Sequence, residues 1–293
     1  MGQRHIFMTA VLIITLLAAG CSPIPPETVI VKETVISEVP ITVEVTTVPE
    51  IVQETVVPVT EVTIPRTETI TLHSSAGDRD YEIYIALPEG YAFGHLSYPV
   101  VYMLDGDLTF IWATAYSRWL SSGDIIPKLI IVGINNSHRR YQDLYPDEGG
   151  DSEKFLTFMR DELVPYIDDN YNTKPENRTL AGISDSALFS LYALFNATET
   201  FNHYIITTPS LSKDDLIFEF ENEYADNHTD LPVKLFLSRG GNEVSNNFLA
   251  LFERLEGRNY AGLEMNMEIL ENHGHVTTIV QGFIDGLQTI FHR

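Results

Sequence analysis

Three residue types that together can activate a hydroxyl follow one another in the second half of this chain: Ser184, Glu243 and His275. A serine hydroxyl is a poor nucleophile near neutral pH. It needs a base within hydrogen-bond reach and a carboxylate to orient that base. Ser184 lies in Gly182-Ile183-Ser184-Asp185-Ser186, after the strand-like RTLAGI and before the helix-like SALFSLYALF. A serine on such a strand-to-helix turn is lifted over the carboxyl end of a sheet, and the N–H groups that follow it are left free to hold an oxyanion. Gly182 supplies the small neighbour the bend requires. Ser186 stands where a second glycine is usual and is expected to crowd the helix against the strand without abolishing the turn. The chemistry implied is acyl transfer; the other reading of the pentapeptide is a serine that only caps a helix.

The acid is expected just beyond a late strand. Glu243, in SRGGNEV after VKLFL, meets that condition, while Asp226 and Asp230 are rivals that precede the strand in a polar stretch. The base is expected in the loop before the last helix, where His275 stands, with His273 as its competitor. A zinc site on His273-Gly-His275 lacks a third ligand at a recognisable spacing, so neither a metal nor any other cofactor is implied. The oxyanion is expected to meet the backbone N–H of Asp185 and that of Gly106 or Asp107 in LDGD, where glycine would let the backbone approach an ester. Phe110 and Trp112, with Tyr116 beyond them, are candidates to line a substrate pocket or to fill core. Arg140 and Asp143 are expected to form a structural ion pair or to hold the loop near the rim, without a catalytic role.

These residues need a framework. ETITLHSS and YEIYIALP, with Ala-Gly-Asp between them, read as an opening antiparallel pair. YPVVYML, KLIIVGI, RTLAGIS, YIITTPS and VKLFLSR read as short buried strands, and helical patterns lie between them. The clearest helices are DSEKFLTFMRDELVPYIDDNY, with a stripe of Phe155, Phe158, Met159, Leu163 and Ile167, and VTTIVQGFIDGLQTIF, with Val276, Ile279, Val280, Phe283, Leu287 and Ile290. Strands alternating with helices predict an α/β domain with a mostly parallel sheet over 66–293.

The net charge of -23 repels phosphate backbones, which excludes nucleic-acid binding as the main role. Residues 1–20 carry Arg4, an apolar run from Val11 to Leu17 and small residues before Cys21, the pattern of an export signal. The segment resembles a bacterial lipoprotein signal, although Ala18 stands where leucine is usual. That resemblance implies lipidation of Cys21, a membrane anchor, and a place in the bacterial cell envelope facing outside the cytoplasm. Residues 21–65 are rich in Val, Thr, Ile, Glu and Pro and are expected to form an extended tether; a β-stalk that binds a partner is the rival reading.

LPEGY followed by YPVVYMLDGD, IIVGINN followed by Arg140-x-x-Asp143, FLTFMRDELVPYIDDNYNT, the serine turn, and FNHYIITTPSLS occur in that order. With them the chain resembles the esterase family that includes siderophore trilactone esterases, S-formylglutathione hydrolases, feruloyl esterases and mycolyltransferases. The resemblance implies an α/β-hydrolase fold with helices on both faces of the sheet and hydrolysis of a small-molecule ester. Glu243 matches the family's Gly-x-Glu position, and His275 the first residue of its His-x-Ser segment. Acyl transfer to a sugar or alcohol is the alternative within the family. A catalytically dead hydrolase serving as a surface binding module is the alternative outside it.

Overall fold

The computed structural model describes residues 63–292 apart from 94, 147–148, 212–215 and 245. The segment expected to be an export signal, Cys21 and the expected tether through residue 62 lie outside the described residues.

Eight strands form one sheet: β1 (Thr67–Ser74), β2 (Arg79–Ala86), β3 (Tyr98–Met103), β4 (Ile130–Asn135), β5 (Thr173–Ile183), β6 (His203–Thr207), β7 (Lys234–Gly240) and β8 (Glu264–Leu270). Their order is β1-β2-β4-β3-β5-β6-β7-β8. β1 pairs antiparallel with β2, and β2 with β4; the remaining pairings are parallel. The expected hairpin and parallel core are both present. β3 and β6 are buried along their whole length, as befits strands covered on both faces. β8 was not expected from the sequence. Its EMNMEIL pairs only with β7 at the sheet edge and stays partly exposed, so it lacks the continuous apolar run that marks the inner strands.

The helices are α1 (Gly106–Ser122), α2 (Arg140–Leu144), α3 (Ser152–Phe158), α4 (Val164–Asn170), α5 (Asp185–Asn196), α6 (Leu216–Asn227), α7 (Asn246–Arg258) and α8 (His275–Phe291). α1 and α8 cover one face, where Phe110, Ala113, Phe283 and Leu287 pack on Val101, Ile131, Ile205 and Phe236. The other face buries Phe155, Phe158, Phe189 and Phe248 from α3, α5 and α7. Each such side chain stabilises the layers by about 1.5–3 kcal/mol relative to exposure.

The predicted stripe Phe155, Phe158, Met159, Leu163 and Ile167 is buried throughout. Its helix is not regular, because a π turn over Met159–Leu163 separates α3 from α4. Pro165 follows at once; it has no N–H to give and its ring would press on the carbonyl one turn back, which the wider turn relieves. In α8 the predicted Val276 is 77% exposed, and Thr278 is buried in its first turn instead.

The chain leaves β3 toward β4 on one side and leaves β5 toward β6 on the other. The carboxyl ends of the adjacent β3 and β5 therefore flank a topological switch point, where α/β sheets open a crevice. The residues that follow β3, β5, β6 and β7 gather at this end.

Candidate active site

Ser184 joins β5 to α5 with φ 56 and ψ -116, a conformation that side-chain-bearing residues adopt rarely and at a cost. Neighbours hold it there. Its N–H donates to the Thr207 carbonyl at 3.1 Å, and its carbonyl accepts from the N–H groups of Leu188 and Ser210. A β-carbon on Gly182 would fall 2.3 Å from the Ser186 carbonyl oxygen, so glycine is required for α5 to start this close to the strand. Ser186 does not crowd the turn as expected. Its hydroxyl accepts the Ile183 N–H at 2.9 Å and donates to the Ile183 carbonyl at 2.8 Å, which ties the last residue of β5 to the first turn of α5.

His275 opens α8 after Gly274, and its Nε2 lies 3.0 Å from Ser184 Oγ. Its Nδ1 lies 2.8 Å from Glu243 Oε2. Because the carboxylate can only accept, the proton is assigned to Nδ1, leaving Nε2 to accept from the serine hydroxyl. Glu243 follows β7, and its Oε1 accepts the Gly240 N–H at 2.8 Å. Burial pushes the Glu243 carboxyl up, but donation from Thr208, His275 and Gly240 outweighs it and holds the group below its ordinary range. The rivals fall elsewhere. His273 Nδ1 faces the Glu271 carbonyl at 2.9 Å, Asp226 lies in α6, and the Asp230 carbonyl accepts the Tyr224 hydroxyl.

Thr208 was missed in the sequence. It sits just past β6 with φ 48, uncommon for a β-branched residue, and its hydroxyl donates to the same Glu243 Oε2 that accepts from His275. Two donors thus converge on one carboxylate oxygen.

On the other side of Ser184 the arrangement is ionic. Arg140 does not pair with Asp143. Its Nε and one terminal nitrogen grip Asp105 at 2.7 and 3.0 Å, and the other terminal nitrogen meets Asp185 at 2.5 Å. Asp143 is bound instead by Arg79 at 2.9 Å, and burial pushes its carboxyl up to about 6 despite that partner. Asp185 Oδ1 also accepts from Tyr145 at 2.9 Å and Ser210 at 2.6 Å, two further residues that the sequence reading did not assign to the site. Burial raises the Asp185 carboxyl, and these donors with Arg140 outweigh it to leave it lowered.

The N–H groups of Asp185, Gly106 and Asp107 lie in the first turns of α5 and α1, where no intrahelical acceptor reaches them. Gly106 is glycine for a reason other than the expected one. A β-carbon there would come within 2.7 Å of the Gly133 and Ile134 backbone, so the constraint is the approach of α1 to β4. Phe110 is core, 7% exposed and packed over Gly133 and beside Tyr84. Trp112 is half-buried, edge-on to Phe283 of α8 at 5.2 Å, and Tyr116 is exposed. Among the described residues no cluster of three or more His, Cys, Asp or Glu could hold a metal, and no helix is long and apolar enough to cross a membrane.

The family model described as "Putative esterase" matches residues 74–236, more than half of the chain. The chain belongs to this esterase family. The esterase is 25% identical over 253 residues to the ferri-bacillibactin esterase BesA of Bacillus subtilis, an alignment covering 74% of this chain and 86% of that one. It superposes on an IroE-like serine hydrolase from Shewanella oneidensis with TM-score 0.69 and 28% identity, over 77% of this chain and 80% of that one. The BES protein from Bacillus cereus matches at TM-score 0.71 and 24% identity, covering 82% of the esterase and 100% of that chain, which speaks for the fold. The expected α/β-hydrolase fold and ester hydrolysis both stand.

Proposed function

We propose that this esterase cleaves a small carboxylic ester through an acyl-enzyme on Ser184. The observation that carries the reading is the continuous relay from Ser184 Oγ through both His275 nitrogens to Glu243. His275 Nε2 takes the Ser184 proton as Oγ bonds to the ester carbonyl carbon, and the carbonyl oxygen becomes an oxyanion held by the N–H of Asp185 with that of Gly106 or Asp107. When the tetrahedral centre collapses, the ester C–O bond breaks and the alcohol departs with the proton from His275. Water, deprotonated by the same imidazole, then releases the acid and restores Ser184. Glu243 holds the tautomer and balances the imidazolium. An intact relay also argues for a working enzyme over an empty binding module.

Ser184→Ala in the purified protein should lower kcat on p-nitrophenyl acetate by roughly 10⁴- to 10⁶-fold. Turnover within tenfold of the unchanged enzyme would remove the assignment. The names of the relatives support a siderophore ester as the substrate, to be tested by comparing hydrolysis of ferri-bacillibactin with that of simple aryl esters.

We further propose that Cys21 is lipidated and that 21–65 tethers the esterase to a membrane of the bacterial cell envelope, facing outside the cytoplasm. Cells fed a palmitate analogue should label the protein, and Cys21→Ala should abolish the label; a persisting label would reject the anchor.

A further inference from the structure

We infer that Arg140 is a positioning residue that fixes the spacing of the two backbone donors facing the oxyanion; this rests on the acyl-enzyme reading above. One donor follows Asp105 in the chain, at Gly106 or Asp107. The other is the N–H of Asp185 itself. The sheet fixes the strand ends, since β3 pairs with β5 as far as Met103 and Ala181 and the Leu104 N–H donates to the Ala181 carbonyl at 3.1 Å. Beyond those ends the two helix starts belong to separate turns, and Arg140 is the side chain that spans them. Arg140 comes from a third loop, at the start of α2 beyond β4, and grips both flanking carboxylates with one planar fork.

Both aspartates are in unusual circumstances. Asp105 is 1% exposed, lies at φ 53, and occupies the cap position of α1 without making a side-chain capping bond. Its carboxylate turns to Arg140 instead, and its N–H donates to Asn136 Oδ1 at 2.9 Å. Asp185, in the first turn of α5, has its other oxygen taken by Tyr145 and Ser210. Without the guanidinium Asp105 would be buried with its charge uncompensated, while Asp185 would keep only its hydroxyl donors. The turns would then part.

A donor serves the transition state only within about 2.7–3.1 Å of the developing oxyanion, and a misplacement of about 1 Å can cost roughly 10²-fold. The ground-state carbonyl makes a weaker demand, so loosening the clamp lowers kcat and leaves KM nearly alone.

The test is Arg140→Lys in the full chain, which keeps one positive charge and loses the fork. With p-nitrophenyl acetate, kcat should fall about 10²-fold while KM stays within about threefold. Affinity for a phenylboronic acid, whose serine adduct presents a tetrahedral oxygen, should fall in step with kcat, with the melting temperature unchanged. Unchanged kcat, or a loss confined to KM, overturns the clamp. Should Arg140→Lys fail to fold, Asp105→Asn decides on the same two readouts, since it keeps the side chain's size and weakens the grip. Ser184→Ala, assayed alongside, separates the two failures. Activity in that variant removes the acyl-enzyme reading itself, whereas an inactive Ser184→Ala beside a fully active Arg140→Lys removes only the clamp.

Discussion

The two flanks of Ser184 solve different problems. On the flank after β6 and β7, Glu243, Thr208 and His275 make a hydrogen-bonded relay whose imidazole is exposed at the crevice. On the other flank Asp105 after β3, Arg140 after β4 and Asp185 after β5 make a network of ion pairs, tied down at Asp185 by Tyr145 and Ser210. In the proposed acyl-enzyme cycle one flank changes protonation, and the other holds dipoles still while charge develops. The separation lets the first be tuned by hydrogen bonds and the second by geometry alone.

Two substitutions on the relay flank sharpen that contrast with the clamp. Glu243→Gln has the larger expected effect: with an amide facing Nδ1 the imidazole can be held in the wrong tautomer, and kcat should fall by roughly 10⁴-fold. A loss no greater than that of Arg140→Lys would mean the two flanks are not distinct in kind. Thr208→Val should do less, about tenfold in kcat, because Glu243 keeps His275 and the Gly240 N–H. It should also act on pH. The ordinary state of the Glu243 carboxyl is held low partly by the Thr208 hydroxyl, so removing that donor raises its folded pKa. A lowered carboxylate contributes stability that is present above its unfolded value and lost as pH falls through the folded one; raising the folded value moves that loss to higher pH. Urea midpoints measured across the acid range should therefore decline earlier in Thr208→Val than in the unchanged protein. Superimposable profiles would show that Thr208 does not support the carboxylate.

The relay flank could be read in the sequence and the clamp could not. Ser184, Glu243 and His275 each stand at an element boundary that the apolar pattern marks, so position along the chain predicts position at the sheet end. Arg140 is expected to partner Asp143, with only two residues between them. Its partners lie 35 and 45 residues away, and only the pairing of β3 with β4 and β5 brings them near. Thr208, Ser210 and Tyr145 are polar residues in loops and follow no period. The parallel strands were legible because burial on two faces leaves an unbroken apolar run, whereas β8, half-exposed at the edge, has no such run. Phe110 lay close to the chemistry along the chain, but a helix turns its side chains by about 100° per residue, and this one faces the sheet.

Asp105, Ser184 and Thr208 all carry positive φ without being glycine, and all three follow strands at the carboxyl end of the sheet. Each costs on the order of 1–3 kcal/mol relative to relaxed backbone. Glycine would remove the penalty at all three places and would also let the loops wander. The rim of this crevice is therefore under tension that the buried layers beneath it must oppose. Weakening those layers, even far from Ser184, should be felt first as a loss of catalytic order and only later as a loss of fold.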